Sequence, residues 1–166
     1  MKHLFTILTI FVITSGYSGA IEGPTISFEV PDGVSVKKLV HPPANMEAFV
    51  LKLDDQGTER DLTLDIPDLS RWKDSSFEKY HAFASRSQSW KPSGPEEVEF
   101  GEFHGYRYVG SKKGTDGTQI FDVDIYLTDG TKHFSVSFEG TREFEASAYK
   151  ILETLKRTPQ SLGSTN

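Results

Sequence analysis

The chain has 166 residues, no cysteine, and 24 acidic against 18 basic side chains, for a formal net charge of -6. That length suits one domain with its own interior, and the domain must be held by its core without disulfide staples. The negative balance, with no block rich in Lys and Arg, argues against a nucleic-acid reader or a protein gripping anionic lipid, since both need a basic footprint.

The N-terminus reads as a secretory signal peptide. Lys2 and His3 give a short basic start, Leu4 to Thr14 an apolar run, and Ser18-Gly19-Ala20 a small-residue cleavage site, so cleavage is expected after Ala20. Gly16 and Gly19 break the apolar run well short of the roughly 20 residues needed to cross a bilayer. The expected mature chain begins near Ile21, inserts stably in no membrane, and is periplasmic or secreted. A bacterial envelope fits best, because small exported eukaryotic domains lean on disulfides. The organisation expected is a signal peptide over residues 1–20, one domain over 21–159 and a polar tail over 160–166.

Ile26 to Val30 is a short β-run stopped by Pro31-Asp32-Gly33, a turn in which Pro presets φ and Gly permits a positive φ. Ser35 to Val40 resumes as a strand before Pro42-Pro43. Glu47 to Leu53 and Asp61 to Ile66 alternate with period two and predict a hairpin closed by a long polar loop from Asp54 to Arg60. Ser75-Ser76-Phe77-Glu78 matches a capping box, and Phe77, Tyr80, Phe83, Ala84 and Ser87 then recur at helical spacing.

After the breaker run from Lys91 to Pro95, Glu97 to Phe103 and Tyr106 to Lys112 read as strands about a tight turn at His104-Gly105, which sets Glu102 opposite Arg107. Val109 to Gly117 lacks the phosphate-loop spacing and reads as a hairpin loop. Thr118 to Thr128 and Thr131 to Glu139 then flank Asp129-Gly130, a type I′ signature. That turn pairs Ile125 with Phe134, Val123 with Val136 and Phe121 with Phe138 on an apolar face. Tyr126 with His133, Asp124 with Ser135 and Asp122 with Ser137 occupy the other. A closing helix carries Phe144, Ala148, Ile151, Leu152 and Leu155, with Lys156 and Arg157 in its last turn and Pro159 ending it.

Phe28-Glu29-Val30-Pro31-Asp32-Gly33 resembles the F-x-V-P-x-G opening of the PsbP-like superfamily, which takes in the photosystem subunit PsbP, a Ran-binding Mog-type import factor and secreted bacterial DcrB-type proteins. The order of elements is similar over most of residues 25–157. Val34 stands where an aromatic is common, and His104 where Asn is common. The resemblance implies an α+β fold: a central antiparallel sheet of about six to seven strands flanked by two main helices, an α/β/α sandwich. It also implies members that bind other proteins through different surfaces and share no catalytic site, so function does not carry over residue by residue.

Candidate chemistry is sparse. Asp122 and Asp124 lie about 7 Å apart on one side of a strand, and with His133 and Tyr126 alongside they make an alternative divalent-metal or acid/base site. A solvated sheet face explains the same pattern, and Arg107 and Ser111 on the neighbouring strand are the wrong chemistry for a third ligand. His41, His81 and His104 are scattered, with neither a zinc spacing nor a G-x-S-x-G elbow in the mature chain. Trp72 and Trp90 bracket the first helix as lids over the core edge or partner anchors, and with the His104 turn they are the expected partner-binding region. The reading is a non-enzymatic binding or accessory protein that needs no cofactor and docks on another envelope or secreted protein. The alternatives are a small-ligand or metal-binding module and, third, a hydrolase with dispersed catalytic residues.

Overall fold

The computed structural model describes residues 19–23, 26–41, 46–66, 76–79 and 93–158. The signal-peptide run up to Ser18, the helix positions from Tyr80 to Ser87, both tryptophans and the tail from Pro159 lie outside them. Ten strands are described: β1 (Gly19–Glu22), β2 (Ile26–Val30), β3 (Ser35–His41), β4 (Met46–Asp55), β5 (Thr58–Ile66), β6 (Ser93–Phe100), β7 (Phe103–Lys113), β8 (Gln119–Thr128), β9 (His133–Gly140) and β10 (Lys156–Arg157). A helix, α1 (Arg142–Leu152), separates the last two strands, and residues 77–79 are helical.

Seven strands form an antiparallel sheet in the order β3-β4-β5-β9-β8-β7-β6, and β1-β2-β10 form a second sheet. The fold is thus sheet-rich α+β, with the large antiparallel sheet in place. The expected pair of main flanking helices is replaced on one side by a layer that is part strand: the small sheet and α1 together cover the inner face of the large sheet. Alternation along the strands explains that layer. Ile26, Phe28 and Val30 of β2 meet Phe49, Leu51, Leu62 and Leu64 of the large sheet, while Phe144, Ala148, Ile151 and Leu152 give α1 a fully apolar stripe. Thr141 caps α1 by accepting the amide of Phe144 at 3.3 Å.

Several local expectations are corrected; Ser93 to Pro95, expected as part of a breaker run, lie within β6. The β4–β5 connection is a tight turn at Gln56-Gly57, with Asp55 opposite Thr58, where a long loop was expected. Both turn residues have positive φ, 55° and 83°, as a type I′ turn requires, and the Asp54 carboxylate accepts the Gly57 amide at 3.0 Å. A side chain that satisfies the turn lets strand pairing run through a polar segment.

The β6–β7 turn falls at Gly101-Glu102 and pairs Phe100 with Phe103, so His104-Gly105 lies inside β7 and Glu96, rather than Glu102, faces Arg107. Gly101 takes the positive φ of 58° that the first position of a type II′ turn demands. The stretch from Val109 to Lys113 is strand as well, leaving only residues 114–118 to connect β7 to β8.

The β8–β9 register is displaced by two residues from expectation: Ile125 pairs with Val136, Val123 with Phe138, Asp124 with Ser137, Asp122 with Glu139 and Thr128 with His133. The Asp129 carboxylate accepts the amides of Thr131 and Lys132, each at 2.7 Å, which widens the connection beyond a two-residue I′ turn. An even displacement preserves facing, so the apolar side stays apolar. Finally, Lys156 and Arg157 leave the helix and pair with Ser27 and Ile26. Glu102 accepts the Arg157 amide at 2.9 Å and Asp129 binds the guanidinium at 2.7 Å, so two hairpin turns clasp β10.

Candidate functional site

The inner face is committed to packing, and on the outer face Tyr108 and Tyr126 are buried in a second, smaller cluster, so among the described residues the β6–β7 rim is a part of the large sheet that offers exposed side chains. On the inner face at the β6–β7 end, Arg107 binds Glu96 at 2.6 Å, Glu145 of α1 at 3.3 Å and the Tyr149 hydroxyl at 2.6 Å. Burial, with the Glu145 carboxylate accepting its hydrogen bond, pushes the Tyr149 hydroxyl far above the ordinary phenol range. This cluster ties α1 to the sheet and presents no open nucleophile.

The outer face carries a row of aromatics: Tyr106, Tyr108 and Tyr126, with Phe77 stacked on Tyr106 at 5.8 Å and tilted against His133 at 5.4 Å. Ser76 starts the helical turn that brings Phe77 here, its hydroxyl accepting the Lys79 amide at 3.4 Å. Between that turn and the β6–β7 hairpin lies a groove of about 470 Å³ lined by Phe77, Glu78, Glu97, Val98, Glu99, His104, Gly105 and Tyr106. Register explains the lining, since Glu97 sits opposite Tyr106 and Glu99 opposite His104, which puts all four side chains on the outer face. The negative charge of Glu78, with lesser help from burial and Glu97, raises the Tyr106 hydroxyl above its usual range.

Among the expected site residues, His104 is exposed and lines the groove, while Trp72 and Trp90 lie outside the described residues. The alternative metal residues are not gathered. Asp124 faces Ser137 and Asp122 faces Glu139, whereas His133 faces Thr128. Ser137 is four positions from His133 along β9, about 13 Å at strand rise. The His133 Nδ1 and the Thr128 hydroxyl are hydrogen-bonded at 2.7 Å. Among the described residues no three His, Asp or Glu side chains form a metal-holding group.

Asp122 takes part in a different arrangement. Burial, reinforced by Glu139, raises its carboxyl above the ordinary range despite Lys112, which binds Glu139 at 2.6 Å. A raised acid favours folding while protonated, so its contribution is present below the unfolded value near 3.8 and lost as pH rises through the folded value. Asp122→Asn is therefore expected to stabilise the fold at pH 7 by a few tenths of a kcal/mol, screened as it is by solvent. Paired urea titrations check this: the advantage should vanish below pH 3.5 or so, near the ordinary carboxylate range, and a destabilised variant at pH 7 would contradict it.

Phe77, Glu78, Glu97, Glu99 and Tyr106 are not among the site residues that the sequence predicts. The Glu-x-Glu alternation at residues 97 and 99 is the signal that marks one acidic strand face; the approach of Phe77 and Glu78 has no local signature. Among the described residues no helix is long and apolar enough to cross a membrane. A scan of protein-family models and searches of the curated proteins and of the solved structures found no match for this chain.

Proposed function

We propose that this chain is an exported, non-enzymatic binding or accessory protein of the PsbP-like kind, which docks on another envelope or secreted protein. The observation that carries the reading is the open groove at His104, where the half-buried rings of Phe77 and Tyr106 meet the exposed side chains of His104, Glu78, Glu97 and Glu99. Aromatic surface beside clustered carboxylates is the composition of a recognition patch, and its placement largely on strands holds the geometry. Export rests on the N-terminal pattern from Lys2 to Ala20. Cleavage after Ala20 would remove Gly19 and Ala20 from β1 and leave Ile21 and Glu22 to pair with Phe28 and Ser27.

In-cell cross-linking of a tagged chain in its native host tests the docking, with N-terminal sequencing of the same preparation to read the cleavage point. One stoichiometric envelope protein should be captured, and its yield should fall about tenfold in a His104→Glu, Phe77→Ala double variant. Capture unchanged by those substitutions would remove the groove from the interface, and a chain recovered with its first twenty residues intact would remove export.

A further inference from the structure

We infer that the partner segment is an extended, cationic peptide that adds as a strand to the edge of β6, with basic residues at alternate positions; this rests on the docking reading above. β6 ends the large sheet. Phe100 and Phe103 flank the two-residue turn, so they form a hydrogen-bonded pair of the antiparallel ladder. Alternation then makes Val98 with Gly105 and Glu96 with Arg107 the next hydrogen-bonded pairs, while Glu97 and Glu99 turn their N–H and C=O groups away from β7, toward an edge that no described strand pairs with.

The residues that offer backbone bonds to a visitor are thus the same two whose carboxylates line the groove. A strand paired there places the residues opposite Glu97 and Glu99 on the outer face, beside those carboxylates, and the residue between them opposite Val98 on the inner side. The register specifies a cationic, apolar, cationic triplet. Long Lys or Arg stems suit this position, since they can cross the edge and lie along Phe77 and Tyr106 with the charge near Glu78. Acidic edges also serve to discourage strand pairing between copies, and the test separates that role from recruitment.

The probe is a fluorescein-labelled eight-residue peptide with Lys-Val-Lys at its centre, titrated by anisotropy against the chain as its host processes it, beside an isomer of equal charge centred on Lys-Lys-Val. The expected result is tighter binding of the alternating peptide, weakened about tenfold by Glu97→Gln with Glu99→Gln, with amide shifts concentrated at residues 97–99. Glu97→Pro should weaken binding comparably, because it deletes an edge-facing N–H without removing a bond to β7. Equal affinity for the two isomers would overturn the inference in favour of diffuse charge attraction, and no binding of either would leave the acidic edge as a guard against aggregation. Cross-linking with the Glu97→Gln, Glu99→Gln chain separates the two readings: a partner captured as well as before keeps docking and overturns strand addition. Absence of any partner overturns docking, while the peptide titration still decides the edge.

Discussion

Gly105→Ala is expected to destabilise the fold by about 3 kcal/mol or more, and to lower Tm by roughly 6 to 12 °C, although it adds one methyl group. A Cβ at this position would lie 1.8 Å from the carbonyl oxygen of Tyr126 and 2.9 Å from its carbonyl carbon. Both atoms are backbone, so no side-chain rotation relieves the contact. Gly105 pairs with Leu127 near one end of the β7–β8 ladder and with Val98 of β6, so the shift must spread across three strands. The same displacement would distort the groove on which Gly105 borders. Thermal and urea unfolding of the variant provide the measurement. A Tm within about 2 °C of the parent chain would mean that the strands have room to separate at this point.

Asp55→Ala is expected to cost about 3 kcal/mol, through a different mechanism. The Asp55 side chain is fully buried where β4 meets its turn, and its Oδ2 receives the Arg60 Nε at 2.5 Å. The same carboxylate accepts the Thr141 amide at 3.1 Å and the Thr141 hydroxyl at 2.5 Å. Thr141 in turn caps α1, so one carboxylate fastens the start of the helix to the end of a hairpin 86 residues away in sequence. Truncation to Ala strands the buried donors of Thr141 and leaves the Arg60 guanidinium without its nearest counter-charge. Asp55→Asn, which keeps an acceptor for Thr141 while removing the charge, should lose less. Linear-extrapolation urea curves on both variants give the comparison. Equal losses would assign the whole effect to the ion pair, and a loss under about 1 kcal/mol for Asp55→Ala would show that water satisfies the donors.

The two predictions differ in how legible they were. Gly105 was marked by the sequence as a turn residue beside His104, because Gly is common in tight turns. Its actual requirement is space between β7 and β8, which depends on the atoms of Tyr126, distant in sequence. The sequence around Asp55 predicts a polar loop, since its partners Arg60 and Thr141 become neighbours only after the hairpin closes and α1 docks. Polar residues at strand ends look alike in sequence whether they face water or a helix start.

The groove divides in the same way. Alternation along Glu97 to Phe100 is local, and it sets Glu97 and Glu99 on one face wherever that strand pairs. The location of the turn decides what they face: with the turn at Gly101-Glu102, their neighbours are Tyr106 and His104, and their backbone groups point away from β7, to an edge that no described strand pairs with. The expected turn, three residues later, would have set other residues across from them.

The sequence by itself determined most strand segments of the large sheet, its apolar inner face and the closing helix, because period-two and period-3.6 alternation are properties of neighbouring residues. It determined the parity of β8 against β9 even where the register was displaced, since burying Asp122 or Asp124 in the core would cost far more than a widened turn. Tertiary structure alone decided the turn positions, the strand order, the release of Lys156 and Arg157 from the helix into β10, and the meeting of Phe77 with Tyr106. Each of those depends on contacts between segments far apart in the chain, where the gain comes from burial and pairing across the fold and no local pattern records it.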